Sequence, residues 1–412
     1  MTFLDRLVAL CFLPLILLFL TACNYTDHGI AKHKLTSIVE QPSSDIIVGA
    51  QRLAVYHPLL AGKVVGLVVN QTSVIGDRHL VDSLLALKIN VAKIFAAEHG
   101  FRGEADAGEK VVNGIDSKTN LPIVSLYGDN KKPTRAQLEG LEVVVFDMQD
   151  VGARFYTYIS TLHYVMEACA EAGIPVIVLD RPNPNAHYID GPVLEDEHKS
   201  FIGMHPVPIV YGMTIGEYAQ MINGEGWLSD GVQANLTVIP CKNYSHDSFY
   251  ELPIKPSPNL PNIRSIYLYP SLCLFEGTTV SVGRGTENQF QIYGHPDFDM
   301  GSYNFTPVSM AGAKYPKHEG KSCNGYSLAS ATVGSLFERK KLDLDYLIGM
   351  YNNLSQREVK FFNDNNFFEK LAGTSKLREQ IIKGMTADQI RSTWQADLAA
   401  FKSVRSNYLL YD

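Results

Sequence analysis

The stretch KIFAAEHGFRGEADAGEK, residues 93–110, turns from apolar to densely ionisable within a few positions. Glu98, His99, Arg102, Glu104, Asp106 and Glu109 follow Ile94 and Phe95, with Gly100, Gly103 and Gly108 between them. Further along, Asp147, Asp150 and Asp180 also stand at the ends of apolar runs. Carboxylates gathered in this way suit acid–base chemistry on a glycosidic bond, where one acid is kept protonated by burial. Glu98 is the first candidate for that acid, because desolvation behind an apolar strand favours the neutral form. Asp147, Asp150 and Asp180 are the nearest partners by strand order. Tyr156, Tyr158, Trp227 and Tyr293 are candidate stacking surfaces for a sugar ring, with core packing as the plainer reading. A plainer reading of Glu98 is a helix cap, or a partner of Arg102.

These residues need a scaffold that brings strand ends together. KVVGLVVN (63–70), NVAKIFAA (90–97), LPIVSLYG (121–128), EVVVFDMQD (142–150) and IPVIVLDRPNP (174–184) read as buried strands. RHLVDSLLAL (78–87), TRAQLEGL (134–141) and TYISTLHYVMEACAEAG (157–173) have helical spacing between them. Thr134 follows Pro133 as an N-cap, and Gly173 closes the longest helix. Alternation of this kind predicts an α/β fold: a Rossmann-like parallel sheet covered on both faces. Ligands of such sheets bind outside the carboxyl ends of the strands. Asn70, Gln71, Glu98, His99, Tyr127, Asp147, Gln149, Asp150, Arg154, Tyr156, Asp180, Arg181, Asn183 and Asn185 stand there.

After GMTIGEYAQMINGEGWL (212–228), a helix that ends in glycines, the texture changes. KPSPNLPN (255–262) predicts an extended crossing, and TTVSVGRGTENQFQIYGHP (278–296) a hairpin around a glycine-rich turn. The tail from Leu377 is charged and helical and ends in aromatics. The expected division is 47–262 for the Rossmann-like part and 263–412 for a smaller α+β domain that completes the cleft.

The composition, with 412 residues, 46% hydrophobic and 19% charged, is that of a globular protein. A net charge of −7 without a long basic run argues against nucleic acid as a partner. The turn after the first strand, NQTSVIGDR, has Gly76 alone, so the G-x-G-x-x-G fingerprint is missing and a dinucleotide-dependent oxidoreductase is the weaker alternative. G-x-S-x-G is absent as well. Cys169, Cys241, Cys273 and Cys323 have no zinc spacing, though a disulfide among them stays open. No metal and no cofactor are expected. Leu7–Leu20 behind Arg6 reads as an export signal, residues 1–22, and is too short for a comfortable span. It ends in LTAC and resembles a bacterial lipobox. Cys23 is then the lipidated residue and 23–46 a tether that holds the protein at a membrane as an exported, periplasmic or cell-surface lipoprotein.

AEHGFRGEADAGE, LPIVSLYG, VVFDMQDVGARFYTYISTL, VLDRPNPN, GMTIGE, KPSPNLP and YPSLCLFEGT with SVGRGT and GHP occur in this order. Together they resemble the bacterial exo-β-N-acetylmuramidase family, from about Val48 to the end. The resemblance implies a two-domain protein that releases N-acetylmuramic acid (MurNAc) from the non-reducing end of peptidoglycan fragments. It implies Glu98, in the E-H-G motif, as catalytic acid; Asp147 and Asp150 are the other catalytic candidates, by strand order. The MurNAc acetamide as an internal nucleophile is an alternative. Asn70, Gln71, His99, Glu104, Tyr156, Asp180 and Asn183 are candidate substrate contacts. Arg102, Arg154, Arg181 and Arg284 are candidates to hold the lactyl carboxylate, with neutralisation of Asp150 and Asp180 as the plainer role of Arg154 and Arg181. Ala97, Asn120 and Tyr211 depart from common family residues. A lipoprotein that binds muropeptides without cleaving them has the same features and is the other alternative.

Overall fold

The computed structural model describes residues 45–98, 100–101 and 113–412. Six strands form a parallel sheet: β1 (Val64–Val69), β2 (Asn90–Ala96), β3 (Pro122–Ser125), β4 (Val143–Asp147), β5 (Val176–Leu179) and β6 (Leu236–Ile239). Their order is β3-β2-β1-β4-β5-β6, and Gly114–Ile115 adds a short antiparallel edge to β3. The chain therefore runs outward from β1 in one direction and then, from β4, in the other. That reversal creates a crevice between the carboxyl ends of β1 and β4.

The apolar runs are continuous because both faces are covered. Val65, Leu67 and Val69 pack with Tyr56 and Leu60 of α1 (Leu53–Leu60) and Leu80 and Leu84 of α2 (Leu80–Ala86). Val68, Phe95, Val144, Phe146 and Val178 turn to the other face. There they meet the four-residue α3 (Arg135–Leu138) and the longer α4 (Tyr158–Ala172), α5 (Ile215–Gly224) and α6 (Ile263–Leu272). Each fully buried side chain of this size contributes roughly 1.5–3 kcal/mol. Thr134 caps α3 by accepting from Gln137 N, and Gly173 ends α4 in the left-handed conformation at φ 70°.

The five expected strands are present, and β6 is a sixth that the sequence reading missed. It is the outermost strand, with Thr237 exposed, so it lacks a continuous apolar run. In the second part, β7 (Ile292–His295), β8 (Tyr303–Phe305) and β9 (Cys323–Ser327) form an antiparallel sheet of order β7-β9-β8. The expected hairpin over 278–296 reduces to one antiparallel bridge between Ser281 and Gly294. The strand it feeds, β7, pairs with β9 instead. Helices fill most of the remainder, among them Phe367–Ala372 and the three tail helices Lys376–Ile382, Ala387–Ser392 and Gln395–Arg405.

One hydrophobic core joins Phe146 and Leu162 to Leu272, Phe275 and Phe368, so the two parts of the chain share an interior. Cys169, Cys241, Cys273 and Cys323 are buried free thiols. Among the described residues no helix is long and apolar enough to cross a membrane.

Candidate active site

The crevice between β1 and β4 is filled by the chain itself. Asn70 Oδ1 accepts from Thr72 N at 2.9 Å and from Thr72 Oγ1 at 2.6 Å, folding the turn after β1 back over the strand ends. Thr72 Oγ1 in turn accepts from Gln149 N at 3.0 Å, and Ser73 Oγ donates to the Asp147 carbonyl. Arg181 closes the crevice with Nε 2.6 Å from Asp147 Oδ1 and Nη2 2.9 Å from Oδ2. Both residues of this pair are buried. Two fully desolvated charges hold together only with such bidentate geometry.

The other strand-end residues are also hydrogen-bonded within the chain, although Asn70 Nδ2, Gln71 Oε1, Asp150 Oδ1 and Asn185 Oδ1 are buried with no partner among the described residues. Asp150 is buried, with Oδ2 accepting from Gly152 N at 2.8 Å and from the Tyr211 hydroxyl. Burial pushes its carboxyl up to about 6 against the opposing pull of those hydrogen bonds. Asp180 accepts from Arg181 N, Gly216 N, Thr214 Oγ1 and Tyr411 Oη at 2.5–3.0 Å, and burial pushes it up to about 7. Asn183 joins Met213 O to Asn185 N, each at 2.8 Å. Gln71 Nε2 donates to Pro256 O at 3.1 Å, and Tyr156 Oη to the same carbonyl at 2.7 Å.

Arg154 is completely buried and has no carboxylate partner among the described residues. Its guanidinium donates to the carbonyls of Pro192, Val207, Leu371 and Ala372 at 2.7–3.0 Å. The last two belong to the carboxyl end of helix Phe367–Ala372, where carbonyls lack helical donors. Burial lowers its pKa to about 9. Arg154 thus fastens the sheet portion to the second part. Neither it nor Arg181 lines the cavity that contains Glu98, and Arg181 pairs with Asp147 rather than with Asp180.

The open cavity lies to one side, beyond β2 and β3. It measures about 900 Å³ and includes Glu98, Tyr127, Thr157, Tyr269, Glu276, Arg284 and Tyr315 in its lining. Of the residues that the sequence places at the cleft, Glu98, Tyr127 and Arg284 are in this lining. Asn70, Gln71, Asp147, Asp150, Arg154, Tyr156, Asp180, Arg181 and Asn183 are not. His99, Arg102, Glu104 and Cys23 lie outside the described residues. The aromatic residues also differ from expectation. Tyr156, Tyr158 and Tyr293 are buried in packing, and Trp227 stacks on His205, while Tyr127, Phe155, Phe201, Tyr269, Tyr315 and Phe367 line the cavity.

Glu98 follows β2 by two residues and is partly buried. Tyr127 Oη donates to its Oε1 at 2.9 Å and Thr157 Oγ1 to its Oε2 at 3.1 Å. These partners arrive from the end of β3 and the start of α4, so three elements of the sheet portion fix one carboxyl group. Burial and the neighbouring Glu98 hold the Tyr127 phenol well above its usual pKa, so it stays protonated. A hydroxyl can donate to a carboxylate and turn to accept from a carboxylic acid, so this cradle serves both protonation states.

The opposite wall comes from the second part of the chain. α6 runs into a tight turn, Cys273–Gly277, that carries Glu276. Lys317 Nζ anchors that turn and the segment after it by donating to the carbonyls of Phe275, Glu276, Thr278 and Val280 at 2.8–3.3 Å. Arg284 Nε donates to Glu276 Oε1 at 2.9 Å, and its guanidinium lies 5.0 Å from the Phe290 ring centroid. Arg284 stands between Gly283 (φ 78°) and Gly285 (φ 80°). A Cβ on Gly283 would lie 2.5 Å from Ile292 Cγ1, and on Gly285 2.6 Å from Val308 O, so the G-R-G sequence is a backbone requirement. The Nη groups of Arg284 make no hydrogen bond with a described residue, and the side chain is 27% exposed. Arg284, Lys314 and Lys317 stand on this wall with the single carboxylate of Glu276, so its lining carries more cationic than anionic side chains.

Sequence reasoning quoted Glu276 within LFEGT but did not single it out, and it passed over Thr157 and Lys317. An acid in a short turn rich in apolar residues resembles core punctuation, and the fold alone brings Arg284 to it. For a metal, Glu195, Glu197 and His198 are the one group of suitable spacing among the described residues. None of them lines the cavity, and Glu195 already pairs with Lys376 at 2.6 Å.

Family models for the N- and C-terminal parts of exo-β-N-acetylmuramidase NamZ match residues 65–264 and 267–411. The chain belongs to the NamZ family. Peptidoglycan β-N-acetylmuramidase NamZ of Bacillus subtilis (strain 168) is 38% identical over 376 residues, covering 86% of this chain and 89% of the relative. Two crystal structures of DUF1343 family proteins from Bacteroides fragilis NCTC 9343 share the NamZ-type fold. One has a TM-score of 0.83 at 47% identity, covering 90% of this chain and 99% of its own. The other has a TM-score of 0.74 at 28% identity, covering 89% and 99%.

Proposed function

We propose that Glu98 and Arg284 carry the family's reaction in this chain: exo-acting hydrolysis that releases β-linked MurNAc from the non-reducing end of peptidoglycan fragments. Membership in the NamZ family makes the chain a glycoside hydrolase of peptidoglycan. The finer reading is supported by one observation. The cavity holds a carboxyl group cradled by two hydroxyls, Glu98, together with a guanidinium fork whose Nη groups have no hydrogen-bond partner among the described residues, Arg284.

Glu98 protonates the glycosidic oxygen as the bond to the anomeric carbon breaks, a contribution of roughly 100- to 10,000-fold for a positioned acid. The Tyr127 and Thr157 hydroxyls keep the carboxyl oriented before and after transfer. Arg284 receives the lactyl carboxylate that distinguishes MurNAc from N-acetylglucosamine (GlcNAc), and the cationic lining of its wall suits that negative charge. Tyr127, Phe155 and Tyr269 offer apolar surface to the pyranose ring.

The decisive measurement compares two substrates with wild type and Glu98→Gln. Release of MurNAc from the natural MurNAc–GlcNAc disaccharide should fall at least about 100-fold in Glu98→Gln, because its leaving group requires protonation. An aryl β-MurNAc glycoside with an activated leaving group should lose far less. Near-normal release from the disaccharide by a folded variant removes Glu98 from the chemistry.

Residues 47–262 are read as the catalytic domain and 263–412 as the domain that completes the cavity. Cys23 is read as the lipid-bearing residue, with 23–46 as the tether of an exported protein. Cys23→Ser should move the protein from membrane to soluble fractions, and unchanged membrane association would count against the anchor.

A further inference from the structure

We propose that Glu276 is the second catalytic carboxylate, the anion that faces the positive charge developing on the sugar ring. This rests on the glycosidase reading of the cavity. Protonation by Glu98 solves half of the problem. As the bond to the leaving oxygen breaks, charge builds on the anomeric carbon and ring oxygen, and a preorganised anion lowers the energy of that state. The two carboxyl groups must then differ: one able to carry a proton, the other ionised at the same pH.

Glu276 meets the second requirement. Among the described residues, Glu98 and Glu276 are the two carboxylates that line the cavity, and they come from opposite parts of the chain. Burial pushes the Glu276 carboxyl up, but Arg284 and then Lys317 outweigh this and hold it below the usual carboxylate range. Only Oε1 is taken, by Arg284 Nε, and Oε2 makes no hydrogen bond with a described residue. The turn that carries Glu276 is fixed by Lys317, whose ammonium binds the carbonyls of Phe275 and of Glu276 itself at 2.9 and 3.2 Å. An anion is therefore held in place, ionised, with one oxygen unused, in the wall of the cavity that contains Glu98. Asp147, Asp150 and Asp180 do not line this cavity.

The reaction balances without any further group. Glu98 gives its proton to the leaving oxygen as the C1–O bond breaks, and the aglycone departs as an alcohol. Water then forms the new bond to C1 and returns a proton to Glu98. Glu276 keeps its charge throughout, and Arg284 serves both anions, through Nε to Glu276 and through its Nη groups to the lactyl carboxylate.

The test uses the full-length protein and an activated aryl β-MurNAc glycoside. Wild-type release is measured first; if the wild type releases no MurNAc from this glycoside or from the disaccharide, the glycosidase reading fails before Glu276 is at issue. Glu276→Gln should then lower kcat at least about 100-fold with KM within a few-fold. Glu98→Gln should lose less on this aryl glycoside than on the disaccharide, because the leaving group needs little protonation. Binding of free MurNAc and an unchanged melting temperature check that Glu276→Gln is folded. A kcat within about threefold of wild type, or a loss confined to KM, would mean that Glu276 only orients Arg284, and the proposal fails. If Glu276→Gln does not fold, Glu276→Asp keeps the charge but withdraws it by one methylene. A kcat lowered at least about tenfold with the melting temperature kept supports the role, and an unchanged kcat overturns it.

Discussion

The crevice between β1 and β4 and the cavity beyond β2 and β3 are made from the same kinds of residue, yet their charges have opposite fates. In the crevice Arg181 and Asp147 form a bidentate pair, and Asp180 accepts four hydrogen bonds. In the cavity Glu276 Oε2 and the Nη groups of Arg284 have no partner among the described residues. Burial alone does not separate the two regions, since both are walled by protein. What separates them is where an unpartnered group stands: Asp150 Oδ1 also lacks a partner among the described residues, but Asp150 does not line the cavity, whereas Glu276 and Arg284 do. A buried charge that the protein has paired is costly to deprive of its partner, and one left open toward a cavity is available to a ligand.

The comparison breaks most visibly at Arg181. Arg181→Leu leaves Asp147 buried and unpaired and should cost about 3–5 kcal/mol of stability, measured by urea denaturation. Activity per folded molecule should change little, because Arg181 does not reach the cavity. If the variant keeps its stability but loses preference for MurNAc over GlcNAc glycosides, Arg181 belongs to the binding site and the division between the two regions is wrong.

At Arg284 the expectation reverses. Arg284→Lys keeps the charge but loses the fork and the separate use of Nε and Nη. The kcat/KM for a MurNAc glycoside should fall about tenfold relative to that for the matching GlcNAc glycoside. Stability should move little, because the side chain is only partly buried. An unchanged ratio would take the lactyl carboxylate away from Arg284.

Much of this was legible before folding, for physical reasons that can be named. β1, β2, β4 and β5 are covered on both faces, so their apolar runs are unbroken and their ends are easy to locate. The edge strand β6 exposes Thr237 and gives no such signal. Glu98 could be found because it directly follows a core strand. The residues that complete the site could not. Thr157 is an unremarkable hydroxyl before α4, and Glu276 and Lys317 lie far from Glu98 in sequence on irregular backbone. Asp147, Asp150, Asp180, Arg154 and Arg181 were expected in the cleft because strand-end position and charge are visible in sequence. Whether a partner from elsewhere neutralises them is not. Gly212 O, for instance, is bound by Arg405, and Asp180 by Tyr411, both from the far end of the chain.

Asp150 gives the finest distinction between the two regions, because it is buried in the scaffold yet titrates within a physiological range. Its pKa is raised by burial from 3.8 to about 6. The folded state therefore holds the proton more tightly than the unfolded chain. The stabilising contribution is fully present below the unfolded value and is lost as pH rises through the folded one. Between pH 5 and 7 this one group should lower stability by about 1 kcal/mol. Asp150→Asn can still accept from Tyr211 and Gly152 through its amide oxygen, but it cannot ionise. Its stability should consequently fall less than that of wild type across the same interval, measured as the urea midpoint at each pH. Parallel slopes for the two proteins would mean that Asp150 does not titrate there. A flatter slope in Asp150→Asn with an unaltered pH profile of kcat would place the Asp150 proton in the scaffold. Loss of one limb of the kcat profile instead would put Asp150 into the reaction, and the line drawn between crevice and cavity would have to move.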